Sequence, residues 1–139
     1  MAKLVLMNPS ITVGAVDLSD HIASVTITKT ISEVATTAFT TSTAAGITRV
    51  GGLEDSSIAL EFHQDFATGS NVEAIVYPLV GLTTSVVVKP VAGTTTSANP
   101  SYTATVFVGE WTPINGAVGD LATASVTWAV SGVVTKAIV

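Results

Sequence analysis

Between residues 53 and 81 the spacing of apolar side chains changes its period, and this change divides the chain. In LEDSSIALEFHQDF, Ile58, Leu60 and Phe62 alternate with Ala59, Glu61 and His63, the period of two that sends one set of side chains inward and the other outward. This predicts a strand. In SNVEAIVYPLVG, Val72, Ile75, Val76 and Leu79 fall at i, i+3, i+4 and i+7, which is one stripe of a helix. Ser70 and Glu73 have capping-box spacing at its start. Pro78 disfavours helical geometry at Tyr77, and Gly81 can take the left-handed turn that closes a helix. The expected helix is therefore short, near residues 70–78.

The flanking segments read as strands. Ala23, Val25 and Ile27 alternate with Ser24, Thr26 and Thr28, and TTSVVVK at 83–89 runs into Pro90, which has no ladder donor. A long strand is expected from Tyr102 to Trp111, with Gly109 as a bulge. Ala122, Ala124, Val126, Trp128 and Val130 make the clearest alternation of all. Asn115-Gly116, just before it, is the strongest local hairpin signal. Residues 3–7 and 11–13 read as short extended pieces around the Asn8-Pro9-Ser10 turn, and 133–138 as a terminal strand or tail. The sum is a single mostly β domain spanning 1–139: six to eight strands in two packed antiparallel sheets, sandwich or barrel, with one short α-helix.

Residues 31–52, ISEVATTAFTTSTAAGITRVGG, keep no period and carry only Glu33 and Arg49 as charges. A loop of about twenty residues inside a compact domain is uncommon and usually functional or disordered. Disordered chains, however, favour charge over β-branched residues, and this stretch does the reverse. It reads either as an arm that orders against a neighbouring subunit, as an extended hairpin, or as a surface loop or strand pair within the monomer.

Composition sharpens the first alternative. Charged residues are 11% of the chain against roughly 25% in ordinary domains, while the hydrophobic fraction, 47%, is ordinary. A surface so poor in charge points to cover by sister copies or partners; the plainer reading is a weakly charged monomer with a Thr-rich β surface. The net charge of −5, with Lys3, Lys29, Arg49, Lys89 and Lys136 scattered, argues against gripping nucleic acid by its phosphates. Without cysteine there is no disulfide and no thiolate nucleophile. The apolar run after Lys3 is too short for the core of a signal peptide, so synthesis and folding in a cytoplasm are expected.

Candidate chemistry is thin. No nucleophile elbow, phosphate-binding glycine loop or zinc-protease helix occurs. Asp17, Asp20 and His21 lie together, and His63 is two residues from Asp65, but both groups fit strand-end turns better than a metal site. Glu54 and Asp55 read as a solvated turn. No catalytic, cofactor or metal residue is assigned, and the chain is not expected to be an enzyme. Trp111 and Trp128 could form a sugar-stacking platform, but with Phe62, Ile75 and Leu79 they are better taken as core or interface anchors. The aromatic girdles of a membrane barrel are missing, and no membrane association is expected.

VDLSDHIASVTI, GLEDSSIALEFHQDFATGSNVEAIVYPLVG and NPSYTATVFVGEWTPINGAVGDLATASVTW, in that order, resemble the major tail proteins of long-tailed bacteriophages of the siphophage type, over about residues 12–130. The resemblance implies a virion structural protein of tail-tube fold. Its subunits would join inner sheets into rings, commonly hexameric, that stack into a hollow tube for DNA in transit, with other tail proteins at the tube ends. It also implies assembly in the host cytoplasm and residence in the virion tail. A long loop between early strands reaches the adjacent ring in that family. Residues 31–52 occupy its place here, with Val34 and Ala35, Phe39, Ile47 and Arg49 as expected contacts. The competing expectations are a capsid decoration or other minor virion protein, and a carbohydrate- or receptor-binding β module.

Overall fold

A computed structural model of the chain describes residues 3–39, 46–68 and 71–139. Two strands with strict alternation form its centre. β6 (Ser57–His63) pairs antiparallel with β9 (Thr123–Val130), in register from Ser57 opposite Ala129 to His63 opposite Thr123. That register puts Ile58, Leu60 and Phe62 beside Trp128, Val126 and Ala124, and all six are buried. A slip of one residue would turn every one of them outward, so the apolar pattern itself pins the pairing.

β3 (Ile22–Thr28) lies on the other side of β6. The remaining large-sheet strands are β1 (Ser10–Val13), β2 (Val16–Asp17), β7 (Thr83–Lys89), β8 (Ser101–Phe107) and β10 (Thr135–Ala137). The order is β2-β1-β7-β8-β9-β6-β3, with β10 also on β8, and every pairing is antiparallel. β8 and β9 share only Val106 with Val130 and Phe107 with Ala129. At this narrow join the sheet turns a corner. Val86, Val88, Ala104 and Val106 from one half enter the same core as the β6/β9 residues. The expected pair of packed sheets is thus present as two halves of one folded sheet. A separate two-stranded sheet is formed by β4 (Ile31–Ala35) and β5 (Arg49–Glu54).

The helix α1 (Val72–Val76) continues directly into a 3-10 turn at Tyr77–Leu79. Val72 and Val76 are fully buried, while Ile75 and Leu79 pack half-buried against the core. The cap differs from expectation. Ser70 lies outside the described residues, and the N-cap is Asn71, whose side chain accepts from the Ala74 N–H at 2.7 Å. Glu73 instead turns its carboxylate to Trp111. Gly81 takes φ 86°, as the closing turn requires.

Of the two short extended pieces at the start, 11–13 falls in β1 while 3–7 joins no ladder. Two expectations need correction. β8 stops at Phe107 rather than running to Trp111, because Val108 is bonded to the turn after the helix: its N–H donates to Leu82 O and its carbonyl accepts from Gly81. Gly109 therefore lies beyond the strand and makes no bulge in it. Asn115-Gly116 is not a two-residue hairpin turn. It sits within the long 108–122 connection, and Asn115 bonds Thr123 through both backbone and side chain. A tight hairpin needs two strands in register up to the turn, and β8 and β9 separate long before it.

Candidate subunit interface

The β4–β5 hairpin extends the β3–β6 ladder out of the body. β3 passes into β4 through Lys29 and Thr30, and β5 returns to β6 through Asp55 and Ser56. Val34 opposes Val50 and Ala35 opposes Arg49, with a register shift between Ile31 and Glu33. Beyond the strands, Thr36 and Thr48 join through their hydroxyls at 2.9 Å and through the Thr36 N–H to Thr48 O. Glu33 and Arg49 make an exposed ion pair at 3.1 Å. Gly52 lets the strands approach: a Cβ there would come within 2.5 Å of Ser32 Oγ and 3.0 Å of Val34 Cγ2.

The hairpin has no core of its own. All of β4 is exposed, as is all of β5 except Glu54. Leu53 is 85% exposed, Ile47 63% and Phe39 fully so. A two-stranded ribbon alone is marginal in water. Among the described residues the body leaves both strands exposed, and what holds the ribbon is polar contact at its root.

That root centres on Glu54, which sequence reasoning placed in a solvated turn. Its side chain is only 8% exposed. Lys29 Nζ approaches Oε1 at 2.9 Å, while Oε2 accepts from Ser56 Oγ and from the Val134 N–H, both at 2.8 Å. Lys29 also donates to Val134 O, and Asp55 N–H to Thr30 O. The Lys29 ammonium, with the Val134 and Ser56 donors, holds the Glu54 carboxyl at a pKa of about 2. Asp55 is exposed, as expected of a turn. Little local in the sequence marks Glu54, because only Ser56 among its partners is near; Lys29 and Val134 are distant along the chain.

Two further surfaces adjoin the hairpin. The outward face of β3, β6 and β9 carries Ser24, Thr26 and Thr28, then Ser57, Ala59, Glu61 and His63, then Thr123, Ser125, Thr127 and Ala129, and it has no lysine or arginine. Apart from the Ile22 N–H, which donates to Ser19 O at the start of the strand, the side of β3 away from β6 makes no backbone hydrogen bond among the described residues. β9 is treated differently: its Thr127 N–H is taken by the Glu110 carboxylate, and Thr123 N–H by Asn115 O. Open strand edges with neither charge nor proline are pairing surfaces, and β3 is one of seven residues.

The tryptophans do not form a platform. Trp128 is fully buried, tilted against Phe62, with its indole N–H on Glu110 O. Trp111 is half-buried, edge-on to Phe62 at 5.4 Å, and donates to Glu73 Oε2 at 2.8 Å. Gln64 joins the same carboxylate oxygen and Pro113 O, tying helix, β6 and the 108–122 connection together. Of the acidic and histidine residues, Asp17 is engaged by Ser19, whose hydroxyl and N–H lower its pKa. His21 faces Asp65 at 3.7 Å. Among the described residues no three such side chains converge on a metal-sized site, and no helix is long and apolar enough to cross a membrane. No protein-family model and no curated protein matches the chain.

Proposed function

We propose that this chain is a tail-tube subunit of a long-tailed phage. Copies join side by side into rings, and rings stack into a hollow tube through which DNA passes without specific binding. The observation that carries this reading is the β4–β5 hairpin: an ordered ribbon with apolar side chains on view and a polar root that aims it away from the body. Such a ribbon is stabilised by burial elsewhere, and an interaction that reaches from one surface to a different surface on the next copy propagates without closing. The resemblance of three long segments to major tail proteins agrees with it.

The small-residue face of β3, β6 and β9 suits a bore. Its one carboxylate, Glu61, and its lack of lysine and arginine leave DNA phosphates without a cation to hold them. A ring of six would carry about 30 negative charges, which favours sliding over sticking.

Negative-stain microscopy of the purified protein at rising concentration tests the proposal. Tubes of uniform bore are expected. A monodisperse monomer or trimer at every concentration, or one that only coats preformed capsids, would replace it with a decoration protein.

A further inference from the structure

The folded sheet is not closed along β3. An open seam follows this strand, bounded on the other side by β8, β10 and residues 4–9. Near its hairpin end a cavity of about 560 Å³ is lined by Ile27, Tyr102 and Val134, with Lys29 and Lys136 at the rim. A second, of about 200 Å³, shares Ile27 and Tyr102 and adds Val25, Val88, Leu4 and Leu6, with Lys89 at its rim. Three of the five basic residues of an acidic chain thus border one apolar groove. Lys136 has no acidic partner among the described residues.

We propose that this seam receives the β4–β5 hairpin of a second copy, an inference that rests on the tube reading and specifies where its stacking contact lands. Both partners lack what the other supplies. The seam offers the unpaired backbone edge of β3 beside unfilled apolar space. The hairpin offers outer edges that are unpaired among the described residues, with exposed Val34, Val50, Ile47 and Phe39. Adding a strand to a free edge supplies main-chain hydrogen bonds, and alternate side chains fill pockets beside it. Charge does not oppose the pairing: beyond its root the hairpin carries Glu33 and Arg49, which pair with each other at 3.1 Å and leave it neutral beside the lysine-rimmed seam. Hairpin and seam are different surfaces of one chain, so the contact repeats from copy to copy.

Because the chain has no cysteine, cross-linking has no background. Val34→Cys and Lys136→Cys, both at exposed positions, are made as separate single variants and mixed under mild oxidation. The mixture is expected to give at least tenfold more covalent dimer than either variant alone, and a double variant to give a ladder of higher oligomers. Ile47→Cys in place of Val34→Cys covers a hairpin seated at another depth. Uniform tubes in the micrographs with no mixed cross-link from either hairpin position would overturn the seam while leaving the tube reading standing. Predominant Lys136→Cys self-dimer would also overturn it, in favour of symmetric pairing of two β3 edges. Mixed cross-links without tubes would uphold the seam and defeat the tube instead.

Discussion

Lys29 and Glu54 meet at 2.9 Å where the hairpin leaves the body, and both also bond Val134. One residue directly follows β3 and the other ends β5, so their contact fixes the angle between a packed ladder and an unpacked one. Val134, itself buried in the core, anchors the pair to the segment leading into β10. The arm is thereby oriented through hydrogen bonds and charge, with no apolar packing beneath it among the described residues.

Glu54→Gln is expected to lower the thermal midpoint at neutral pH. The native carboxyl titrates at about 2 against its usual 4.5, so its contribution is complete above about pH 4.5 and is lost as pH falls from there through about 2. A thermal-denaturation series across that window should show a shallower acid limb in the variant. An identical limb would remove Glu54 as a stabilising contact.

Deleting residues 35–48 should leave a folded body, because none of the described residues in that span belongs to the core cluster. The expected result is a cooperative melt like the parent's together with loss of tube growth, measured by sedimentation and microscopy. Normal tubes would show that the arm is dispensable.

Trp128→Ala should destabilise by about 3–5 kcal/mol, the usual cost of emptying a fully buried aromatic site. Trp111→Phe keeps the ring against Phe62 but removes the donor to Glu73, and about 1–2 kcal/mol is expected, part of it from the carboxylate left with Gln64 alone. Chemical denaturation of both variants checks the order. Equal effects would mean that Trp111 acts through packing and not through its hydrogen bond.

Asn71→Ala removes the observed helix cap and should cost about 1 kcal/mol. The readout is the urea midpoint, and no change would mean that the Asn71 bond to Ala74 adds nothing to the fold.

The parts of this fold that could be read from sequence are those with one wet and one buried face. Ile58, Leu60 and Phe62, and Ala124, Val126 and Trp128, declare their direction by alternation, and the large sheet preserves it. Val72 and Val76 do the same for the helix. The legible signals that misled were local ones overridden by distant partners. Asn115-Gly116 has hairpin chemistry but no strands in register around it, and the apparent run through Trp111 ends where its partner gives way to the turn, with the Leu82 N–H going to Leu79 O. Glu54 was invisible for the same reason, since a carboxylate beside Asp55 gives no hint of a lysine 25 positions earlier or an amide 80 positions later. The arm could be located by its missing period, but its strand pairing depends on a register that residues such as Val34 and Val50 show only once opposed.

An arm rooted at one carboxylate would magnify any tilt imposed at that root. β4 has five residues, about 17 Å at an extended rise of roughly 3.3 Å each, so a tilt of about 10° at the root moves its far end by about 3 Å. That displacement stays within a single residue's rise along a receiving strand. Stacked units joined this way would share out curvature as many small tilts, and the whole filament would flex without any joint losing its alignment.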